Sequence, residues 1–474
     1  MLVTDVASER VELERVRERI ALEALELARP RLWTDTIGAL AVTGWRSVSS
    51  LAPDAPLMLL SAANTAIGVR VGPQGVGTSA IRAAERLVRR GGPAYIKLGQ
   101  LIASADGILP PAWVGAFAWC RDDAPRLSYR RVRSILEREV GLDRFAELDA
   151  VPIAAGSIAQ VHRALLSNGT EVAVKVRRPG LTRRLRADIG ALALAAAAAG
   201  RVSDDLAAAN LPGFVELFAQ LALEESDFRL EALNVLDCAG VYEACGMDFV
   251  TVPMPIADMV TERVLVMDYI EGAPYDRASA ALRDRGHGER LLALAIGGVL
   301  QSALLHGLFH GDLHAGNVLL RADETFGLVD FGICGRFTDD QRSSMARYLV
   351  GFARDDARTQ AEALRDFGAI SVVSDALVAE LASELDPIAR RANGAITFER
   401  LGESVSAQLA VLTRNGFRMP KDLVLFFKNL LYLSSFAAAI APDADLFLAI
   451  EHALDTMGER HGTELAQLLD GVLI

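Results

Sequence analysis

His310-Gly311-Asp312-Leu313-His314-Ala315-Gly316-Asn317, with Asp330-Phe331-Gly332 beginning thirteen residues after Asn317, is the stretch on which the reading of this chain turns. Phosphoryl transfer requires a carboxylate near the attacking oxygen and a cation on the α/β-phosphates, with a metal held by an amide and a second carboxylate. Asp312 stands five residues before Asn317, the spacing of a catalytic-loop carboxylate and its metal-binding amide. Asp330 follows a short apolar strand, Gly327-Leu328-Val329, as a metal-binding Asp does. Upstream, Val172-Ala173-Val174-Lys175 lies on the second strand of a hairpin, where a lysine can reach phosphates. Glu231 falls in the helical region that follows and is placed to hold that ammonium. A single Asp-Phe-Gly arises by chance, and a single strand lysine is an ordinary snorkelling side chain. The four elements in this order are what carry the signal. His306, His310 and His314 recur at i, i+4, but Gly311 and Gly316 make the segment a loop, so a histidine metal site is the weaker reading.

The flanking sequence supplies a matching scaffold. Val151–Arg163 and Thr170–Arg177 are rich in alternating β-branched residues and are joined by Ser167-Asn168-Gly169, a hairpin signal. A helical stretch is predicted from Leu181 to Asn234, a strand from Glu262 to Ile270, and helices from Ser279 onward except around His310–Phe337. Ahead of the hairpin, Leu13, Val16, Ile20, Ala24 and Leu27 recur at helical spacing within Ser8–Ala28. A second helical region runs from Ile81 to about Gly141. The outline is an α+β, bilobal protein-kinase-like fold with an N-terminal helical extension and a mainly helical C-lobe. Its expected parts are the extension over 1–150, the N-lobe over 151–270 and the C-lobe over 271–474.

Composition narrows the partners. Of 474 residues, 51% are hydrophobic and 23% charged, which is globular. A net charge of −12 disfavours nucleic acid, whose binding rests on Lys and Arg neutralising phosphates. Four Cys with no C-x-x-C pair exclude a disulfide scaffold and a cysteine-rich zinc module, and suit a reducing cytoplasm. The N-terminus shows no secretory signal. Leu291–Gly311 has no formal charge over the length of a membrane span, and Leu423–Ile440 is similar but interrupted by Lys428 and Asn429. Both are read as buried helices, the second with Phe426, Phe427, Leu430, Leu431 and Leu433 mainly on one face. Thr36–Val69, apolar and weakly charged, leaves peripheral membrane contact open.

At these residues the chain resembles the UbiB/AarF family of atypical kinase-like proteins, associated with coenzyme Q, from about Gly91 to Arg336 and more loosely to the C-terminus. Lys97-Leu98-Gly99-Gln100 matches the family's KxGQ motif. Pro152–His162, with Ala154, Ala155, Gly156, Ser157 and Val161, matches its alanine-rich nucleotide loop. Glu225-Ser226-Asp227 matches its ExD motif. The resemblance implies that the KxGQ segment folds over the active site, that Lys97 pairs with Glu225 and Asp227, and that Lys175 pairs with Glu231. It implies ATP and Mg²⁺ as cofactors, with Asn317 and Asp330 on the metal, Lys175 on the phosphates, and Asp312 orienting the nucleophile. Met267, Asp268 and Tyr269 would be the hinge whose backbone meets adenine.

Departures from the family pattern set further expectations. Gly156 stands where the family usually has Ala, and a freer backbone there would let the loop approach a phosphate and favour ATP over ADP. Ala103–Gly107 replaces a Ser-Thr-Arg-Pro-Asp stretch, and Trp119–Pro125 matches the next block only loosely. Gly311, Leu313 and Ala315 replace Ala, Pro and Pro, giving a loop like that of small-molecule phosphotransferases. The expected function is a UbiB-type ATPase or atypical kinase supporting isoprenoid-quinone (ubiquinone) or other lipid metabolism. Its expected location is cytoplasmic, with contact to membrane lipid or lipid-biosynthesis enzymes. An antibiotic-kinase-type phosphotransferase explains the catalytic loop but neither KxGQ nor ExD, and a nucleotide-binding pseudokinase scaffold is the third reading.

Overall fold

The computed structural model describes residues 9–29, 93–103, 111–121, 126–202, 210–277, 288–354, 356–384, 420–442 and 446–468. It also describes isolated residues between 81 and 89, between 407 and 418, and at 444. The chain divides into two compact units, residues 1–230 with 256–267 and residues 231–255 with 268–474. Thr36–Val69 lies outside the described residues.

In chain order, helices α1 (Arg10–Ala28), α2 (Pro93–Ala103), α3 (Pro111–Phe117) and α4 (Tyr129–Glu139) precede strands β1 (Phe145–Leu148), β2 (Ala154–Ala155), β3 (Ala159–Leu166) and β4 (Glu171–Arg177). Helices α5 (Leu181–Val202), α6 (Leu211–Glu224) and α7 (Phe228–Ala244) follow, then β5 (Val250–Thr251), β6 (Pro255–Val260), β7 (Val264–Asp268) and β8 (Ala273–Pro274). Helix α8 (Gly288–Leu305) leads to β9 (Leu308–His310), β10 (Val318–Leu320), β11 (Phe326–Leu328) and β12 (Cys334–Arg336). Helices α9 (Asp339–Ala353), α10 (Ala357–Asp366), α11 (Asp375–Glu384), α12 (Lys421–Ile440) and α13 (Leu446–Leu468) complete the described elements.

The first unit is built on a sheet of order β1-β3-β4-β7-β6, with β2 pairing β3. Its centre is the hairpin expected from the sequence: Val161 faces Lys175 and Ala164 faces Val172 across antiparallel strands. Gly169 closes the turn at φ +86°, and the Asn168 side chain accepts from Thr170 N at 3.0 Å, so the Asn-Gly pair supplies both the left-handed backbone and its cap. Side chains alternate across a strand. Val172, Val174 and Val176 therefore join Val132, Ile135 and Leu136 of α4 in one core, while Lys175 points to the other face with Ala173 and Arg177. The sheet starts earlier than residue 151, because β1 already pairs with β3. The single helical stretch read over Leu181–Asn234 is three helices. Asn210, at φ +47°, caps α6 by accepting from Gly213 N, and Asp227 opens α7 by accepting from Arg229 N.

In the second unit, α12 departs from its one-faced reading. Leu423 to Asn429 are seven consecutive buried residues, so this half of the helix is enclosed on every side, while Leu430 and Leu431 are half-buried. Among the described residues, α8 and α12 are the two helices long and apolar enough to cross a membrane, and more than half of each is buried in protein. Lys428 and Asn429 sit inside that buried turn with polar partners on the catalytic loop, which marks α12 as a core helix.

Candidate active site

The second unit assembles the candidate catalytic loop through backbone anchors. Strand β9 pairs antiparallel with β12, which brings His310 opposite Cys334. His310 is 2% exposed and uses both ring nitrogens: Asp312 N donates to Nδ1 at 3.0 Å, and Nε2 donates to the Val329 carbonyl at 3.1 Å. Burial pushes its pKa below the ordinary value, in keeping with a neutral ring that accepts at one nitrogen and donates at the other. Asn317, 6% exposed, donates from Nδ2 to the Asp312 carbonyl at 2.9 Å, and its own carbonyl accepts from Val329 N at 3.0 Å. Three of the expected positions are thus linked: the Asp312 backbone is bonded to His310 and Asn317, and Val329, also bonded to both, directly precedes Asp330. Asp330 has φ +60°, a left-handed conformation uncommon outside glycine and one that clusters at functional sites. Gly311 lets the loop pack closely here, since a Cβ would lie 2.8 Å from Ile333 Cγ2 and 3.0 Å from the Ile333 carbonyl.

The residues present fit a magnesium-nucleotide. With Nδ2 committed to the Asp312 carbonyl, Asn317 has Oδ1 as its remaining acceptor, the kind of hard oxygen Mg²⁺ takes. Among the described residues there is no group of three or more His, Cys, Asp or Glu suited to a metal, so the histidine site is not formed. A magnesium ion bound through one or two carboxylates, water and substrate phosphates needs no such cage.

Helix α7 is tied to the segment after Asp330 by a residue the sequence reading did not single out. Asn234 donates to the Phe331 carbonyl at 2.8 Å and accepts from Arg336 Nη2 at 2.9 Å. Arg336 also pairs with Asp237 at 2.7 Å. Asn234 lies three residues after Glu231 on one helix face, a spacing that was the available signal.

The first unit carries the candidate nucleotide loop and the KxGQ segment. Ala154 and Ala155 pair with Val161 and Gln160. The turn after them is closed by Gly156 N to Ala159 O at 2.8 Å and clamped by Arg178, whose guanidinium donates to the Gly156 carbonyl at 2.8 and 3.0 Å. Gly156 has no left-handed φ, and a Cβ there would meet only Ala159 O at 3.7 Å. Its N–H is therefore engaged within the turn and its carbonyl by Arg178, which speaks against the expectation that glycine opens this loop to a phosphate. Ser157 is buried and donates to Gln100 Oε1 at 3.1 Å, while Gln100 Nε2 donates to the Cys120 carbonyl at 3.1 Å. Gly99 allows α2 to press against Cys120, where a Cβ would come within 2.4 Å of Sγ. Burial pushes the Cys120 thiol up to about 11.

Lys97 pairs with Glu225 at 2.6 Å. Asp227 does not share this lysine, contrary to expectation. Its carboxylate accepts from Arg229 Nε at 3.0 Å and Nη2 at 2.7 Å, because the chain turns into α7 there and brings Arg229 back over its cap. Lys175 is 7% exposed with its ammonium 5.4 Å from the Phe228 ring centroid; Glu231, 2% exposed, lies on α7, the helix that Phe228 opens. Met267–Tyr269 is where the chain passes from the first unit to the second. Asp268 N donates to the Met254 carbonyl at 3.0 Å and is thus not a donor left for adenine, a limit on the hinge assignment that the strand pattern did not show.

Sequence reasoning also missed α12. Lys428 Nζ donates to Asp312 Oδ1 at 2.9 Å, Tyr432 OH donates to the same oxygen at 2.8 Å, and Asn429 Nδ2 donates to the His310 carbonyl.

An ABC1 atypical kinase-like domain matches residues 120–364. The chain belongs to this family. An uncharacterized aarF domain-containing protein kinase of Arabidopsis thaliana, described as chloroplastic, is 30% identical over 388 residues, covering 76% of this chain and 72% of its own. A probable protein kinase UbiB of Azotobacter vinelandii is 30% identical over 376 residues, covering 77% and 68%. Among solved structures, the Rv3197-erythromycin complex of Mycobacterium tuberculosis covers 78% of this chain and 97% of its own, with 23% identity and a TM-score of 0.45. In this ABC1 kinase-like chain the family match spans the nucleotide loop, ExD, the catalytic loop and Asp330, while Lys97–Gln100 and α12 lie outside it.

Proposed function

We propose that this chain binds Mg-ATP and hydrolyses or transfers its γ-phosphate slowly, in service of isoprenoid-quinone (ubiquinone) or other lipid metabolism. The observation that carries the reading is the linked set of Asp312, Asn317 and Asp330, held together through His310 and Val329. Asp330 and Asn317 would hold Mg²⁺, which neutralises phosphate charge when bound. Lys175 would bind the phosphates and be positioned by Glu231. Asp312 would orient the attacking hydroxyl or water. Ala154–Ser157 and Val161 would line the nucleotide, with the carbonyls of the Met267–Tyr269 segment toward the base. The quinone assignment and contact with membrane lipid or lipid-biosynthesis enzymes rest on family kinship, and a cytoplasmic, membrane-peripheral setting goes with them.

Gln100 on Ser157 ties the KxGQ helix to the nucleotide loop, and this favours the UbiB reading over an antibiotic-kinase one, which gives KxGQ no part. The test is Mg-dependent phosphate release from ATP, with and without anionic vesicles. The wild-type chain should turn over ATP only with Mg²⁺ and faster on vesicles, and Asp330→Asn should be inactive. Normal hydrolysis by Asp330→Asn would show the metal assignment to be wrong.

A further inference from the structure

Helix α12 reaches the catalytic carboxylate from more than a hundred residues away, with Lys428 at 2.9 Å and Tyr432 at 2.8 Å from one oxygen of Asp312. Between His310 and Asn317 the loop contains no Lys or Arg, so the positive charge at Asp312 comes from outside it. His314, the loop's other ring, has its Nδ1 taken by Gly316 N at 3.0 Å, and its ring stands at 71° to that of Tyr432 with centroids 6.3 Å apart.

Placing an ammonium in that part of α12 is costly. Lys428 is 9% exposed and sits in the turn where Leu423 to Phe427 are all buried. Packing alone would be served better by Leu or Met, because a buried ion pair seldom outperforms apolar residues of the same volume. The side chain is nevertheless held on a defined path, with Nζ 5.4 Å from the Tyr432 ring centroid and bonded to Asp312. Asp312 is then fixed at three points: its N–H by His310, its carbonyl by Asn317, and its Oδ1 by Lys428 and Tyr432. Fixed donors beside the reacting centre cost no reorganisation when charge develops there.

We infer that Lys428 and Tyr432 are positioning residues for phosphoryl transfer: they fix the orientation of the Asp312 carboxylate and set turnover, leaving nucleotide affinity to other residues. The inference rests on the Mg-ATP reading of this same site. No covalent step is added to that reaction.

The experiment uses the full-length chain and compares wild type with Lys428→Met, Lys428→Arg, Tyr432→Phe, Asp312→Asn and the Lys428→Met/Asp312→Asn double variant. Steady-state phosphate release from Mg-ATP gives kcat and KM, and a fluorescent ADP analogue gives affinity independently of turnover. Lys428→Met should lower kcat by about 100- to 1000-fold, the loss typical of one preorganised donor, with KM and ADP affinity within about threefold of wild type. Lys428→Arg should recover at least about a tenth of wild-type kcat, and Tyr432→Phe should lose roughly tenfold. In the Asp312→Asn background, Lys428→Met should cost almost nothing more, since residues acting through one another are not additive. Should Lys428→Met fail to fold by circular dichroism, Lys428→Arg and Tyr432→Phe carry the same kcat-against-KM test. Wild-type turnover with an unimpaired Lys428→Met, a loss confined to KM or ADP affinity, or a full further loss on Asp312→Asn overturns the inference and leaves the functional reading standing. A wild-type chain that neither binds nor turns over Mg-nucleotide sinks both.

Discussion

Two glycines of similar standing in the sequence have opposite roles. At Gly99 a methyl group would be driven into Cys120 Sγ at 2.4 Å, with Val88 Cγ1 at 3.0 Å, inside a small core that includes Tyr95, Ile102 and Phe117. At Gly156 the nearest atom is 3.7 Å away and the backbone is not left-handed. Gly99→Ala should therefore destabilise the protein by about 1–3 kcal/mol, the cost of overpacking a filled site, as measured by the midpoint of chemical unfolding. Gly156→Ala should leave that midpoint unchanged within about 0.5 kcal/mol and shift the ratio of ATP to ADP affinity by less than about twofold. A marked change in nucleotide preference on Gly156→Ala would restore the phosphate-approach role that its hydrogen bonds speak against.

Beside its apolar packing, helix α2 makes polar contacts to the rest of its unit that can be tested one pair at a time. The Lys97 and Glu225 side chains are 18% and 13% exposed, buried enough that removing one costs the other a charge-assisted hydrogen bond that water replaces poorly. Lys97→Met should cost about 1–3 kcal/mol, less than a fully buried pair because some water remains, and the Lys97→Met/Glu225→Met double variant should be more stable than the single. If Lys97→Ala also leaves nucleotide binding and phosphorylation unaltered, the segment has no regulatory part. Lys97→Gln should lose less than Lys97→Met, because an amide can still donate to Glu225. How much of this was legible differs by element. The β3–β4 hairpin was, because alternation and the Asn-Gly turn are local properties of Val161–Arg177. The Asp312–Asn317 spacing was too, being contained in one loop. Three contacts of α12 with that loop were not, because Lys428 and Asn429 looked like interruptions in an apolar run, Tyr432 gave no signal of its own, and nothing local links them to residues more than a hundred positions earlier. The partner of Asp227 was misread for a related reason: the family resemblance implied which carboxylates lie near Lys97, but the turn into α7 decided which cation each received.

Among the described residues each of the two units encloses a histidine held neutral, His162 in the first and His310 in the second, and this couples the stability of the chain to pH. In the first unit His162 is fully buried, donating from Nδ1 to the Asp149 carbonyl at 2.7 Å and accepting at Nε2 from Gln160 at 2.8 Å. In the second, His310 bridges Asp312 and Val329. Burial is the leading cause that lowers both pKa values from 6.5. Below that value the unfolded chain takes up protons that the folded chain refuses, so stability rises with pH through the window beneath 6.5 and is complete above it. Each such histidine contributes a slope of at most about 1.4 kcal/mol per pH unit until its folded pKa is reached. A carboxylate such as Asp356, held below 3.8 by the Thr359 hydroxyl and backbone, contributes only at more acidic pH, while His306, also lowered by burial, adds to the fall beneath 6.5 and Asp268, raised by burial, acts in the opposite sense above 3.8. Thermal unfolding should accordingly be level from pH 8 to about 6.5 and fall from there toward pH 5. His162→Gln/His310→Gln should melt lower at pH 7.5, where it lacks two fitted rings, yet decline less steeply between pH 6.5 and 5. Equal slopes for the two proteins over that interval would mean that the rings are protonated in the folded state, and the donor–acceptor order drawn for His310 between Asp312 and Val329 would have to be reversed at Nδ1.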